Sequence, residues 1–318
     1  MRTLSLGDIS WGGIRPEALL ERGEILCFRP GTLPLPPEAD LAFLRDLGAA
    51  LENVRYHPGG DSLSGLVGPA RDRTRAILRA HHGTVREFLR RICPRYVERW
   101  HAGEASFRPI DEEGRRSSNT PVDALADGAT HGGRVLRFFT NVNPTRARVW
   151  RSAGTFPELF AEFGGQAGIG ALGEDGLRGG LSDRLRSGLA RLARGLGLSQ
   201  AAALDTSPYD RAMKRLHEVL ASDPAFQARR GVEFEFPPFT SWTALTDTVS
   251  HCAVRGQHAL VCTWIVPLAS CVVPELSPHA VIARGLPRSP APARVGGTPG
   301  GPGGDPSETT GMPGSRAR

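Results

Sequence analysis

An aspartate and a histidine, far apart in the chain, each stand before a strand-like run of residues. Asp123 precedes the run Arg134–Asn141, and His251 precedes the run Ala259–Val266. Such a pair inside a β-rich core could supply two of the three ligands of a facial iron site. In that site two histidines and one carboxylate leave positions open for a co-substrate and oxygen. The pattern therefore predicts a metal site in which Asp123 and His251 are ligands.

The residue two positions before Asp123 does not fit this pattern. The usual first element of such a site is His-x-Asp, but this chain has Pro121 in the place of the histidine. Proline has no side-chain donor, so a third ligand has to come from elsewhere. His131, in a glycine-containing turn, is the candidate substitute ligand. Taken alone, His251 would more often be a structural histidine, and Asp123 an ordinary turn residue. The position of His251 just before a strand makes a ligand role and a structural role equally consistent with the sequence.

An arginine and an asparagine are predicted to share one wall of the sheet near Asp123. Side chains alternate along a strand, so Arg137 and Asn141 fall on the same face of the run that begins at residue 134. A buried arginine needs an anion, and a carboxylate is its natural bidentate partner. The partner could be the distal carboxylate of 2-oxoglutarate, or an internal acid such as Glu233 or Asp247. Both alternatives are open at this point.

The charge of the chain does not indicate nucleic-acid binding. The net charge is +6 and the pI is about 9.5, but the basic residues are spread along the chain. They are nearly all arginine, with Lys214 as the only lysine, which is typical of a genome-wide codon bias. Zinc-finger spacing, an aromatic RNA-binding signature and a glycine-rich phosphate loop are all absent from the sequence. We expect no nucleic-acid partner.

The cysteines and the apolar runs indicate a reducing compartment. The five cysteines are odd in number, lie in apolar surroundings and form no Cys-x-x-Cys pair, which predicts reduced thiols. The N-terminus lacks the apolar run of a signal peptide. No stretch approaches the roughly 20 apolar residues that a membrane span needs. We expect a cytoplasmic protein. If it contacts a membrane at all, we expect that contact to be peripheral and on the inner face.

The order of predicted elements favours an α+β protein. Residues 1–103 are predicted to be mainly helical with short strands, including a long helix over 69–100 that Pro94 interrupts. Residues 104–286 are strand-rich, carry an insert at 156–199, and predict an antiparallel sandwich or barrel. Residues 287–318 consist mainly of proline, glycine, serine, threonine and arginine, so we expect a disordered tail.

The insert contains leucines at helical spacing between residues 181 and 196, with arginines on the remaining faces. A basic amphipathic helix of this kind can lie on an anionic membrane. The more ordinary alternative is a helix that covers the core with its arginines in solvent. The pattern does not decide between these two interpretations.

Four stretches of the chain resemble one known family. They are residues 106–115, 122–151, 208–218 and 236–275. Their order along the chain and their amino-acid residues are similar to those of the 3-deoxy-D-manno-oct-2-ulosonic acid (Kdo) hydroxylases. These are Fe(II)/2-oxoglutarate dioxygenases that act on the inner sugar of lipopolysaccharide. The resemblance implies a double-stranded β-helix core, of the jelly-roll or cupin-like kind, with a helical N-terminal region packed on it.

The resemblance also implies roles for individual residues. Asp123 and His251 correspond to iron ligands, and Arg137 and Asn141 to residues beside the 2-oxoglutarate co-substrate. The implied substrate is a lipid-linked sugar or another sugar acid. The chain departs from the family at Pro121, where the family has histidine. It also has a shortened segment just before that position, which lacks the usual basic, tryptophan-bearing stretch.

Three functions are consistent with these residues. The favoured one is an Fe(II)/2-oxoglutarate-dependent dioxygenase that hydroxylates an inner-core sugar of lipopolysaccharide or a similar sugar acid. The alternative is a catalytically impaired relative of the same fold that binds a sugar acid or another anion. A purely structural, partner-binding protein is the third. Pro121 is the reason why the sequence leaves the enzyme prediction open.

Overall fold

The computed structural model describes most of the chain. The described residues are 2–4, 15–48, 51, 53–112, 129–172 and 207–286. All of the described residues fall within one compact unit, residues 1–288. The predicted disordered tail and the leucine-rich helix at 181–196 lie outside the described residues.

Eight strands form a large sheet. They are β1 (Arg2–Leu4), β2 (Leu26–Phe28), β3 (Val54–His57), β4 (Ser62–Ser64), β5 (His101–Arg108), β6 (Arg134–Asn141), β9 (Ser241–Leu245) and β11 (Ala259–Val266). Their order across the sheet is β1-β2-β9-β6-β11-β5-β3-β4. The β1–β2 pair is parallel and the other neighbouring pairs are antiparallel. Strand β6 therefore lies between β9 and β11, and strands from the N-terminal part of the chain form both edges of the sheet.

Three further strands form a small antiparallel sheet. They are β7 (Arg148–Ser152), β8 (Val232–Phe236) and β10 (Cys252–Arg255), in the order β10-β7-β8. An aromatic cluster joins the two sheets, with Phe139 and Trp242 from the large sheet and Trp150 and Phe236 from the small one. We call the face of the large sheet that meets the small sheet the inner face, and the opposite one the outer face.

Helices cover the outer face and one end of the sheets. They are α1 (Pro16–Glu21), α2 (Glu38–Arg45), α3 (Arg71–Ile92), α4 (Pro94–Val97), α5 (Phe156–Phe163), α6 (Pro208–Ser222), α7 (Pro224–Gln227) and α8 (Pro278–Gly285). The predicted interruption at Pro94 is confirmed, because α3 ends at Ile92 and α4 begins at Pro94. Proline lacks the backbone N–H that would continue the α3 hydrogen bonds, and it suits the first turn of a new helix.

The main hydrophobic core lies between α3 and the outer face. Phe88 of α3 meets Phe28 of β2 edge-to-face at 5.0 Å between ring centroids, and Phe138 of β6 at 5.7 Å. All three rings are fully buried. A helix with apolar residues on one stripe buries that stripe against a sheet whose alternate residues are apolar.

A second cluster of buried side chains joins α5, α6, α7 and α8. Helix α6 begins with a capping box, in which the Ser207 hydroxyl accepts from the N–H of Asp210 and the Asp210 carboxylate accepts from the N–H of Ser207. This pair satisfies backbone donors at the helix start. The capping box therefore marks the start of this helix, which spans Pro208–Ser222.

The N-terminal part of the chain contributes directly to the large sheet. Strands β1 to β4 lie within residues 1–103, and they belong to the same sheet as β6, β9 and β11. The boundary predicted at 103–104 falls inside β5. The prediction of reduced cysteines is confirmed, since all five are free and buried.

Candidate active site

The side chains on the inner face of β6 point into the space between the two sheets. Phe139 belongs to the aromatic cluster that joins the sheets, whereas Leu136 and Phe138 belong to the core under α3. The predicted alternation along this strand is therefore confirmed, and it places Arg137 and Asn141 on the inner face with Phe139. The indole of Trp150 lies edge-on to Phe139, with ring centroids 4.4 Å apart.

His251 lies beside this aromatic cluster. It immediately precedes β10, whose residue Ala253 is paired with Trp150 of β7. The imidazole is 8% exposed, and its centroid is 5.1 Å from the Trp150 ring. Its Nδ1 lies 3.3 Å from the carbonyl oxygen of Val249. A proton on Nδ1 would bond that carbonyl and leave the lone pair on Nε2, which is how metal-bound histidines are commonly oriented.

The predicted partner of His251 falls in a part of the chain that the structure does not describe. Asp123 and Pro121 both lie within residues 113–128, outside the described ranges. The pairing of Asp123 with His251 stays a prediction. Among the described residues no group of three or more His, Cys, Asp or Glu side chains could hold a metal ion. The role of His251 as a metal ligand stays a prediction as well.

His131 lies in a turn that contacts the start of α6. Its backbone has a φ of 50°, and its N–H lies 3.2 Å from one carboxylate oxygen of Asp210 and 3.3 Å from the other. The Nδ1 atom is 4.0 Å from Asp210, and the side chain is 40% exposed. Asp210 also accepts from the N–H and the hydroxyl of Thr130. The structure thus ties this turn to α6, and the role of His131 as a substitute ligand stays a prediction.

The two acids considered as partners of Arg137 are engaged by other arginines. The Arg151 guanidinium lies 2.8 Å from Glu233, and the Arg134 guanidinium lies 2.6 Å from Asp247. Arg137 itself is partly buried in the middle of β6. Its contact with a co-substrate carboxylate stays a prediction.

Asn141 has a structural role at the end of β6. Its amide nitrogen donates to the carbonyl oxygens of Arg146 and Phe236 at 3.0 Å each, and to that of Pro237 at 3.3 Å. Its amide oxygen accepts from the N–H of Asn143 at 3.0 Å. The side chain therefore holds the turn between β6 and β7 against the end of β8. Its place beside the co-substrate stays a prediction.

The ion pair of Arg134 and Asp247 was not predicted from the sequence. Both side chains are almost completely buried, and Arg134 also donates to the hydroxyl of Thr248. Burial alone would lower the pKa of Arg134, but the adjacent Asp247 carboxylate raises it above its ordinary value. Alternation could have indicated this residue, because Arg134 shares the face of Leu136 and must find an anion within the core.

A second buried arginine belongs to the small sheet. Arg148 of β7 lies 3.2 Å from the carboxylate of Glu112, and it is 2% exposed. Burial lowers its pKa, and Glu112 opposes that change without cancelling it. This ion pair ties the segment after β5 to the small sheet.

Comparisons with known proteins place the chain in a family. The family model of 3-deoxy-D-manno-oct-2-ulosonic acid (Kdo) hydroxylase matches residues 15–288. This chain belongs to the Kdo hydroxylase family. The match covers all of the described helices and every strand except β1, so the resemblance seen in the sequence is confirmed. A comparison with curated protein sequences found no match.

Solved structures of one Kdo hydroxylase share the fold. The apo structure of KdoO, a non-haem Fe(II) alphaketoglutarate-dependent dioxygenase, has a TM-score of 0.70 and 26% identity, over 89% of this chain and 94% of that chain. KdoO in complex with alphaketoglutarate and Fe(III) has a TM-score of 0.69 and 26% identity, over 89% of this chain and 95% of that chain. The complex with cobalt(II) gives the same values. The predicted α+β fold with a jelly-roll core is confirmed.

None of the helices within the described ranges has the length and apolar character needed to cross a membrane.

Proposed function

We propose that this protein is an Fe(II)/2-oxoglutarate-dependent dioxygenase that hydroxylates Kdo or a closely similar sugar acid. The observation that supports it is His251, which is held by Trp150 and Val249 between the two sheets of a Kdo hydroxylase fold. The likeness to KdoO, which has been seen with alphaketoglutarate and iron, favours this function over a binding protein without activity. Function follows from the site and not from the fold alone, so the test addresses the site.

Two of the three predicted ligand positions carry side chains that suit Fe(II), and the third does not. His251 would offer its Nε2 atom, and Asp123 would offer a carboxylate oxygen. Pro121 can offer nothing, so His131 or water would complete the protein side of the site. When bound, Fe(II) with 2-oxoglutarate and oxygen supplies the oxidation that converts a C–H bond into an alcohol, with succinate and carbon dioxide as the other products.

The other residues of the inner face would bind the co-substrate and keep the site dry. Arg137 would place its positive charge opposite the distal carboxylate of 2-oxoglutarate. Phe139, Trp150 and Trp242 are buried side by side. A wall of packed rings excludes water, which strengthens the attraction between Arg137 and a carboxylate.

Anaerobic titration with Fe(II) and 2-oxoglutarate tests the site directly. We expect a metal-to-ligand charge-transfer band in the wild-type protein and none in His251→Ala or Asp123→Ala. His217→Ala is a matched control, because His217 lies on α6 and is not among the predicted ligands. Loss of the band in His131→Ala would identify His131 as the third ligand.

The same titration decides between the enzyme and the binding protein. Absence of the band from the wild-type protein, together with no succinate formation, would contradict the dioxygenase proposal. Calorimetric binding of free Kdo would then separate the remaining functions. Retained Kdo binding would support the sugar-acid-binding alternative, and its absence would leave a structural role.

Contact with a membrane surface is a further part of the proposed function. A lipid-linked sugar would be reached at the inner face of the membrane, and the arginine-rich helix predicted over residues 181–196 is the segment that could lie there. Co-sedimentation with phosphatidylglycerol vesicles, and not with phosphatidylcholine vesicles, is the expected result. Equal behaviour with both lipids would contradict this contact.

A further inference from the structure

A short buried connection leads from the large sheet to the small one and ends at His251. It consists of residues 246–251, between β9 and β10, and every residue in it is buried. Backbone groups in a buried segment need partners within the protein. The contacts of this connection therefore determine where His251 lies relative to β6.

The second half of the 246–251 connection is bound to the chain that follows β7. The N–H of Phe156, at the start of α5, donates to the carbonyl oxygen of Thr248 at 2.6 Å. Val249 forms an isolated β-bridge with Thr155. These contacts are made by the backbone, so they do not depend on the side chains of the connection.

Arg134 binds the first half of the connection to the large sheet. Its Nε atom donates to the Asp247 carboxylate at 2.6 Å, and the same guanidinium donates to the hydroxyl of Thr248. The antiparallel register pairs Leu136 of β6 with Leu245 of β9. Continued by two residues, that register sets Arg134 opposite Asp247. Opposite residues of neighbouring strands project to the same face, so the two charges meet.

Stability alone is a weak reason for this ion pair. The Arg134 side chain is 0% exposed and that of Asp247 is 1% exposed, so both charges have lost their hydration. The cost of removing two charges from water largely offsets their attraction, and apolar side chains often replace such pairs without loss of stability. An apolar pair could not replace the direction of the bonds, because a guanidinium holds its donors in a fixed plane.

Thr248 lies where the two sets of contacts meet. Its hydroxyl accepts from Arg134, and its carbonyl oxygen accepts from Phe156. The next residue is Val249, whose carbonyl oxygen lies 3.3 Å from Nδ1 of His251. A displacement of Thr248 would therefore pass through one residue to the acceptor that orients the imidazole.

We propose that Arg134 is a positioning residue for His251. Through Asp247 and Thr248, its guanidinium fixes the 246–251 connection. The carbonyl oxygen of Val249 then accepts the proton on Nδ1, and Nε2 remains available as a ligand. The ligand role of Nε2 rests on the function proposed above, whereas the orientation of the ring does not require a bound metal.

The protonated nitrogen of His251 in the metal-free protein tests this proposal. Nitrogen-15 spectra of histidine-labelled protein distinguish the two tautomers at about pH 8, where an ordinary imidazole is neutral. The signals of His251 are those that disappear in His251→Gln. We expect the Nδ1–H tautomer in the wild-type protein.

Two variants remove the contacts of Arg134 with the connection. Thr248→Val replaces the hydroxyl with a methyl group of similar size. The double variant Arg134→Met with Asp247→Leu removes both charges together, which avoids an unpaired charge in the core. In both variants we expect the His251 tautomers to shift towards Nε2–H.

Metal binding gives a second measurement on the same variants. In the anaerobic titration with 2-oxoglutarate, the affinity for Fe(II) should fall about tenfold or more. This is the usual effect of losing a group that orients a metal-bound histidine.

Matched variants separate positioning from general damage to the fold. Thr248→Ser keeps the hydroxyl and should behave as the wild-type protein does. Thr246→Val removes another buried hydroxyl of the same connection, one that donates to the carbonyl oxygen of Val135, and it should leave the His251 tautomer unchanged. Urea denaturation shows whether each variant unfolds cooperatively. If the double variant does not fold, Thr248→Val decides the test.

Two results would overturn the proposal. One is the Nε2–H tautomer of His251 in the wild-type protein. The other is a fully retained Nδ1–H tautomer in Thr248→Val and in the folded double variant. Absence of the charge-transfer band from the wild-type protein would contradict the dioxygenase function instead, and the tautomers would still decide the role of Arg134.

Discussion

The two faces of the large sheet contain similar aromatic clusters but differ in what borders them. On the outer face, Phe28 and Phe138 meet Phe88 of the long helix α3. On the inner face, Phe139 meets Trp150 of the small sheet. The outer cluster continues into a larger core of aliphatic side chains. The inner cluster is smaller and borders polar groups of the candidate active site.

This difference separates stability from chemistry within single strands. Alternate residues of β6 point to opposite faces, so Phe138 contributes to the larger core while Phe139 contributes to the wall beside His251. A strand buried on both faces can therefore provide a rigid support and a reactive surface at once. Sites built on such strands are held more precisely than sites on loops.

Truncating neighbouring phenylalanines should give the largest effects and test this separation. Phe138→Ala and Phe139→Ala should each lower the free energy of unfolding by about 3–5 kcal/mol, the usual cost of removing a buried ring. Only Phe139→Ala should also reduce succinate formation well below the unfolding temperature. Urea denaturation and product assays measure the two effects. Equal loss of activity in both variants would show that the faces are not independent.

A buried histidine on the outer face should make stability depend on pH. Burial lowers the pKa of His81 to about 4, with a smaller effect from His82. Between pH 6.5 and about 4 the unfolded chain binds a proton that the native state does not, so stability falls as the pH falls. In His81→Leu, the free energy of unfolding should fall less over this pH range than in the wild-type protein, by up to about 3 kcal/mol. Denaturation of both proteins at pH 7 and pH 4.5 gives the difference, and parallel pH profiles would contradict the prediction.

The inner face offers a smaller test at Asn141. Asn141→Ala removes the hydrogen bonds that hold the turn after β6, and it should cost about 1–3 kcal/mol. Asn141→Asp is the matched control, since it keeps the acceptor for Asn143 and loses the amide donor. Calorimetry with 2-oxoglutarate extends the test. If Asn141 also lies beside the co-substrate, both variants should weaken 2-oxoglutarate binding, and unchanged affinity would restrict the residue to its structural role.

The smallest expected effect is a gain of stability on the outer face. Gly83→Ala should raise the free energy of unfolding by up to about 1 kcal/mol, because alanine is the better helix former and its Cβ meets no atom. Thermal unfolding measures the change. A loss of stability would mean that Gly83 is needed for packing.

Local patterns predicted most of the secondary structure. The strand over Arg134–Asn141 and the strand over Ala259–Val266 have the bounds that their apolar runs indicated. The end of α3 before Pro94 followed from the missing N–H of proline. These features depend on residues close together in the chain, so a sequence is sufficient to find them.

The site was only partly predictable, because it depends on contacts between residues that are far apart in the chain. Alternation placed Arg137 and Asn141 on one face, but it could not tell which partners they would meet. Asp247 was considered as a partner of Arg137, and it pairs with Arg134 instead. The large sheet also recruits β1 to β4 from the part of the chain that was expected to be mainly helical.

The amino-acid sequence by itself determined the family, the faces of the strands and the position of the helix break, because these depend on residue type and short-range period. Only the tertiary structure decided which charges meet. Arg134 and Asp247 are 113 residues apart, and their contact depends on the register of strands brought together from distant parts of the chain. A shift of one residue in that register would turn every side chain of the strand to the other face.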